Sequence, residues 1–159
     1  MNTNKITARL VGALFLITTA TYLTGDSLIQ TLLSSSDYLA AIGAMTARVT
    51  LGAVLMLVNC LGVVGIGVLM FPVLKQHDKT TALSYVGTRI IEAVLLMVGV
   101  ISLLLLVPLN QEPIRAGTTD PGYFQTLSVL AIKGNFFAYQ IAMLVLGVGS
   151  LFFCYVLYQ

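Results

Sequence analysis

Residues 90–109 read IIEAVLLMVGVISLLLLVPL, an almost unbroken apolar run headed by Gly87-Thr88-Arg89 and carrying one carboxylate, Glu92, just inside it. A helix rises ~1.5 Å per residue and the hydrocarbon core of a bilayer is ~30 Å thick, so about 20 such residues span it. Residues 10–23, 49–74 and 136–158 echo the pattern. Together the runs predict an all-α integral membrane protein: one membrane domain over residues 1–159, built as a four-helix transmembrane bundle. Its first partner is therefore the lipid bilayer.

Composition points the same way. The chain is 58% hydrophobic and 9% charged, with a mean hydropathy of +0.97, whereas soluble domains carry about 25% charged residues. A net charge of +2 without a Lys/Arg cluster excludes a nucleic-acid footprint. Cys60 and Cys154 lie inside apolar runs and read as small hydrophobes rather than a disulfide or metal pair. His77, the only histidine, sits in a polar loop without a second ligand, and zinc takes three or four. No metal and no cofactor are expected. No GxSxG, HExxH, phosphate loop or suitably paired acids occur, which disfavours an enzyme.

In chain order, the basic start with Lys5 and Arg9 followed by a short apolar run fits a cleaved signal as well as a first span. Because no small-x-small site precedes Gly25-Asp26, it is read as the first membrane helix. Residues 25–47 are read as a linker, in which Leu28, Ile29, Leu32 and Leu33 predict a short amphipathic turn on the membrane. Asp37 is then the expected N-cap of a segment through Tyr38, Leu39, Ile42 and Met45. The second span ends at Phe71-Pro72, before the polar connection Lys75-Gln76-His77-Asp78-Lys79. Asp120-Pro121 opens a second short helix with Tyr123, Phe124, Leu127 and Leu130 on its apolar side, interrupted at Lys133-Gly134-Asn135. Lys5, Arg9, Lys75 and Lys79 crowd into short segments on one side, while Arg48, Arg115 and Lys133 are diluted among acidic residues on the other. Positive residues stay inside, so the expected location is the inner membrane with both termini cytoplasmic.

The spacing also predicts an internal repeat. Thr7-Ala8-Arg9-Leu10-Val11-Gly12-Ala13 lies over Gly87-Thr88-Arg89-Ile90-Ile91-Glu92-Ala93, and a later shift carries Tyr38 onto Tyr123, Arg48 onto Lys133 and Gly62 onto Gly147. The expectation is two parallel hairpins, about residues 5–76 and 85–159, with short amphipathic helices on the outer face.

Thr7-Ala8-Arg9, Gly12-Ala13-Leu14-Phe15-Leu16, Phe71-Pro72-Val73-Leu74-Lys75 and Gly87-Thr88-Arg89-Ile90-Ile91-Glu92 carry a resemblance, helped by Asp37-Tyr38-Leu39 and Tyr123-Phe124-Gln125-Thr126-Leu127. With these motifs the chain resembles a widespread bacterial family of multi-pass membrane proteins known only as a domain of unknown function. The resemblance implies a helical fold and a membrane location, and it brings no activity or catalytic residue. Members usually continue through further membrane helices, so by that measure the chain is short at its C-terminus.

Glu92 is the main candidate site residue, since an ionisable group inside a span costs about 2.5–3.5 kcal/mol on insertion scales. Arg89, three residues earlier, shares its helical face and can pair with it, and Asn59 of the second span can join them. The competing reading is an interfacial ion pair about one turn deep, with Asn59 as interhelical glue. Gly62, Gly65, Gly67, Gly147 and Gly149 are expected at close helix contacts. Two functions follow. In one, the chain is a structural or regulatory subunit that packs against itself or a membrane protein partner in a closed bundle. In the other, it is a small transporter or channel-like protein using Glu92 and Arg89 for a proton or small solute, with a cavity reaching Glu92. So few polar groups favour the subunit.

Overall fold

The structure is a computed structural model that describes residues 2–34, 38–109 and 121–158. Five helices follow in order: α1 (Asn2–Leu33), α2 (Tyr38–Ala44), α3 (Thr46–Leu74), α4 (Lys79–Leu104) and α5 (Pro121–Tyr158). No strand occurs among the described residues. Lys5–Leu33, Thr46–Leu74, Lys79–Leu109 and Gly122–Tyr155 are each long and apolar enough to cross a membrane. Leu16, Leu61, Leu144 and Leu151 are at least 70% exposed, a surface that suits lipid and not water. The chain is an all-α, multi-pass membrane bundle.

Two of the expected breaks are absent. Helix α1 runs through Gly25 to Leu33, and α5 runs through Lys133-Gly134-Asn135 without interruption. Both glycines serve as contact surfaces. A Cβ on Gly25 would lie 2.7 Å from the Gly52 carbonyl oxygen, and one on Gly52 would lie 2.8 Å from that of Gly25, so the two glycines let α1 and α3 touch backbone to backbone. A Cβ on Gly134 would approach the Ser102 hydroxyl to 3.3 Å, which places α5 close against α4. The expected interfacial turn is therefore the last part of α1. Ile29 and Leu32 are buried in a cluster with Ile42, Val49, Ala53, Met56, Val100, Leu103 and Leu106, which outweighs the helix penalty of one glycine, about 1 kcal/mol.

A short helix does stand in the first half, α2, separated from α3 at Met45, whose φ of −124° and ψ of 37° leave helical geometry. In the second half the corresponding segment is continuous with the span. Asp37 and Asp120, expected as caps, lie outside the described residues. The helix end that is visibly capped is that of α4. Asp78 accepts from the backbone N–H groups of Thr80 (3.2 Å) and Thr81 (2.7 Å) and from the Thr81 hydroxyl. The Thr81 bonds hold its carboxyl below the usual carboxylate range. At Pro72 the chain stays helical for two more residues before Lys75 closes α3.

Helix α1 packs on α3, α3 on α4 and α4 on α5. The bundle is thus two hairpins, α1–α3 and α4–α5, joined through α3 and α4. No comparable packing joins α1 to α5, and the space between them remains open.

Candidate functional site

Glu92 and Arg89 are brought together one turn apart on α4. The Arg89 Nη1 donates to Glu92 Oε2 at 2.9 Å, and only 12% and 4% of the two side chains is exposed. The guanidinium has further holds. Its Nε donates to the Tyr85 hydroxyl at 3.2 Å, and its central carbon lies 5.2 Å from the Tyr85 ring centre, within cation–π range. Tyr85 in turn packs on Phe153 of α5, ring centres 5.7 Å apart. From the other side α3 closes in at Gly67, where a Cβ would stand 3.0 Å from that of Arg89. Arg89 is therefore oriented from three helices.

Along α4 the pair stands well inside the helix. Because α4 begins at Lys79, Glu92 lies about 20 Å along the axis from that end and about 26 Å from Leu109, at 1.5 Å per residue. It is a mid-helix group. Asp78 starts α4 well before Arg89, so the helix extends beyond the apolar run of residues 90–109 that defined the span. A buried ion is costly in apolar surroundings, and the structure meets that cost with an opposite charge and a phenol.

Beside the pair lies a cleft of about 300 Å³ that draws on all four long helices. Thr18, Thr19 and Tyr22 come from α1, Asn59 from α3, Arg89 and Glu92 from α4, and Tyr139 from α5. Phe15, Leu23, Val63, Ile66, Leu96, Met143 and Leu146 make the rest of the wall apolar. Tyr22 and Tyr139 stack across it, ring centres 5.6 Å apart and planes at 12°. Behind the stack Asn59, Asn135, Tyr22 and Tyr139 border a void of about 10 Å³, close to the room one water needs.

The sequence of this cleft belongs to a family already defined. The chain is a member of the DUF4386 family, a domain of unknown function whose model matches residues 10–159. No curated protein and no solved structure matches the chain.

In this DUF4386 chain Asn59 does not make the interhelical hydrogen bond expected of glue. The residue is 7% exposed, and its carboxamide has no hydrogen-bond partner among the described residues. It borders the cleft and the void instead, beside Leu96, Gly99 and Val100 of α4 and around the same void as Tyr22, Asn135 and Tyr139. The glycines divide similarly. Gly62 faces Thr18 and Leu14, Gly65 faces Leu14, Gly67 faces Arg89 and Gly149 faces Thr88, all within close contact. Gly147 does not follow, since nothing lies within 4 Å of a Cβ built there. Two residues apart on a helix means nearly opposite faces, so when Gly149 turns to α4, Gly147 turns away.

Sequence reasoning missed Thr18, Thr19, Tyr22 and Tyr139 as cleft residues. The first three did carry a signal, polar side chains recurring at one-turn spacing in an otherwise apolar run. Tyr139 had none that separated it from an interfacial aromatic. Among the described residues no three His, Cys, Asp or Glu side chains converge, and the Arg89–Glu92 ion pair borders the cleft.

Proposed function

We propose that this protein binds and moves a small solute through the cleft between α1 and α5, with the Arg89–Glu92 pair and Asn59 as its polar floor. The single observation that carries the reading is the 300 Å³ space meeting a buried mid-helix ion pair. Apolar clefts with a few convergent polar groups are the usual form of a small-molecule site, and ionisable residues within spans mark solute or proton paths. A closed bundle was the expectation of the subunit reading, and the open α1–α5 gap weighs against it. One observation still favours a partner: only 6% of the most apolar window of α1 is buried within the chain, against 39% for α4. A second copy or another membrane protein would cover that face. The inside location of both termini and the two-hairpin repeat belong to the same proposal.

Thiol reactivity tests the cleft. In a chain carrying Cys60→Ala and Cys154→Ser, Thr19→Cys, exposed at the cleft, is expected to react with a small maleimide in native membranes, whereas Ala93→Cys, buried on α4 against Cys60, Val63 and Ala142, stays inert. Equal inertness of both positions would remove the cleft and the function with it.

A further inference from the structure

Building on the cleft as a binding site, we infer that its ligand is an uncharged amphiphile taken from the bilayer, with one hydroxyl, amide or carbonyl head seated between Asn59 and the Arg89–Glu92 pair. Charge comes first. Arg89 and Glu92 cancel one another at 2.9 Å, and the guanidinium is further engaged by Tyr85, so the floor offers no net charge to draw an ion out of water. A charged head would have to break the pair or stay unpaired in a low-dielectric site, and either is costly.

The polar groups left over set the head. The Asn59 carboxamide has both donors and acceptor free among the described residues while 93% of the residue is out of solvent, and Glu92 Oε1 accepts no bond there. Buried amides without partners are uncommon and lose free energy until one arrives. A donor-and-acceptor pair facing a neutral wall matches a group that both gives and takes a hydrogen bond. The route sets the tail. The gap opens between α1 and α5 on the side of the molecule where Phe15 and Leu23 are 57% and 60% exposed, which is lipid-facing surface. Phe15, Val63, Ile66 and Leu146 then line the way in.

The chain has no tryptophan, so one can be added as a reporter. Phe15→Trp sits at the cleft and Leu61→Trp on the lipid face of α3. Both are reconstituted in phosphatidylcholine nanodiscs and titrated with bromodecanol, bromodecanoate or bromodecyltrimethylammonium, whose bromines quench indole. Phe15→Trp is expected to show a saturable component with bromodecanol, half-saturating at least about tenfold lower than with either ion, and Leu61→Trp only unsaturable quenching. Asn59→Leu should raise the bromodecanol midpoint about fivefold, the loss of one hydrogen bond, and Thr126→Val, an exposed threonine of α5 that does not line the cleft, should leave it within twofold of its starting value. Tighter saturation by the carboxylate or the ammonium would overturn the neutral class while leaving the cleft as a binding site. No saturation by any of the three would overturn both readings.

Discussion

Removing one partner of the Arg89–Glu92 pair strands a charge at the middle of α4. Arg89→Gln or Glu92→Gln is expected to cost about 3 kcal/mol, and the double replacement Arg89→Met/Glu92→Leu should recover most of that loss. Unfolding in mixed micelles titrated with dodecyl sulfate measures all three. Equal losses for the single and double variants would mean that the two side chains are not coupled. Asn59 gives the opposite sign. Because its amide is buried without a partner, Asn59→Leu is expected to be neutral or to stabilise the ligand-free bundle by about 1 kcal/mol. A loss above about 1 kcal/mol would restore the interhelical bond that the structure lacks.

At the scale of helices, the glycines separate contact from composition. Gly25→Ala drives a methyl into the Gly52 carbonyl, which has no freedom to move, so a substantial loss of α1–α3 stability is expected in the same titration. Gly147→Ala meets nothing and gains up to about 1 kcal/mol of helix propensity. The start of α4 titrates. Hydrogen bonds hold the Asp78 carboxyl below its ordinary range, so its contribution is present above about pH 4 and is lost as pH falls through the folded value. Asp78→Ala should therefore be less stable than the natural chain at neutral pH and converge with it under strong acid.

These elements also show what could be read from residues alone. The spans were legible because length and hydropathy are local. The continuity of α1 and α5 was not, because Gly25 and Gly134 look like breaks until Gly52 and Ser102 arrive from distant parts of the chain. Glu92 announced itself by polarity; the length of helix before it did not, since the Asp78 cap that starts α4 is one residue among several polar ones in that connection. The cleft needed all four helices placed.

For the whole molecule, an open seam between α1 and α5 means that the two hairpins meet chiefly through α3 and α4, with the Tyr22–Tyr139 stack reaching across the seam. If both termini face the cytoplasm, a membrane-impermeant maleimide should reach Lys133→Cys from the outer side and Lys75→Cys only after permeabilisation; the reverse pattern would invert the molecule. The most direct measurement on the central claim is dicyclohexylcarbodiimide labelling in native membranes, read by mass spectrometry. This bulky, lipid-soluble reagent modifies only protonated carboxyls, and an unpartnered buried carboxyl is the neutral form. Weak labelling of the natural chain, strong labelling of Glu92 in Arg89→Gln and none in Arg89→Gln/Glu92→Gln is the outcome this account predicts. If Arg89→Gln is folded and Glu92 remains unlabelled at every pH, the cleft does not connect the bilayer to the ion pair, and the proposed solute path does not exist.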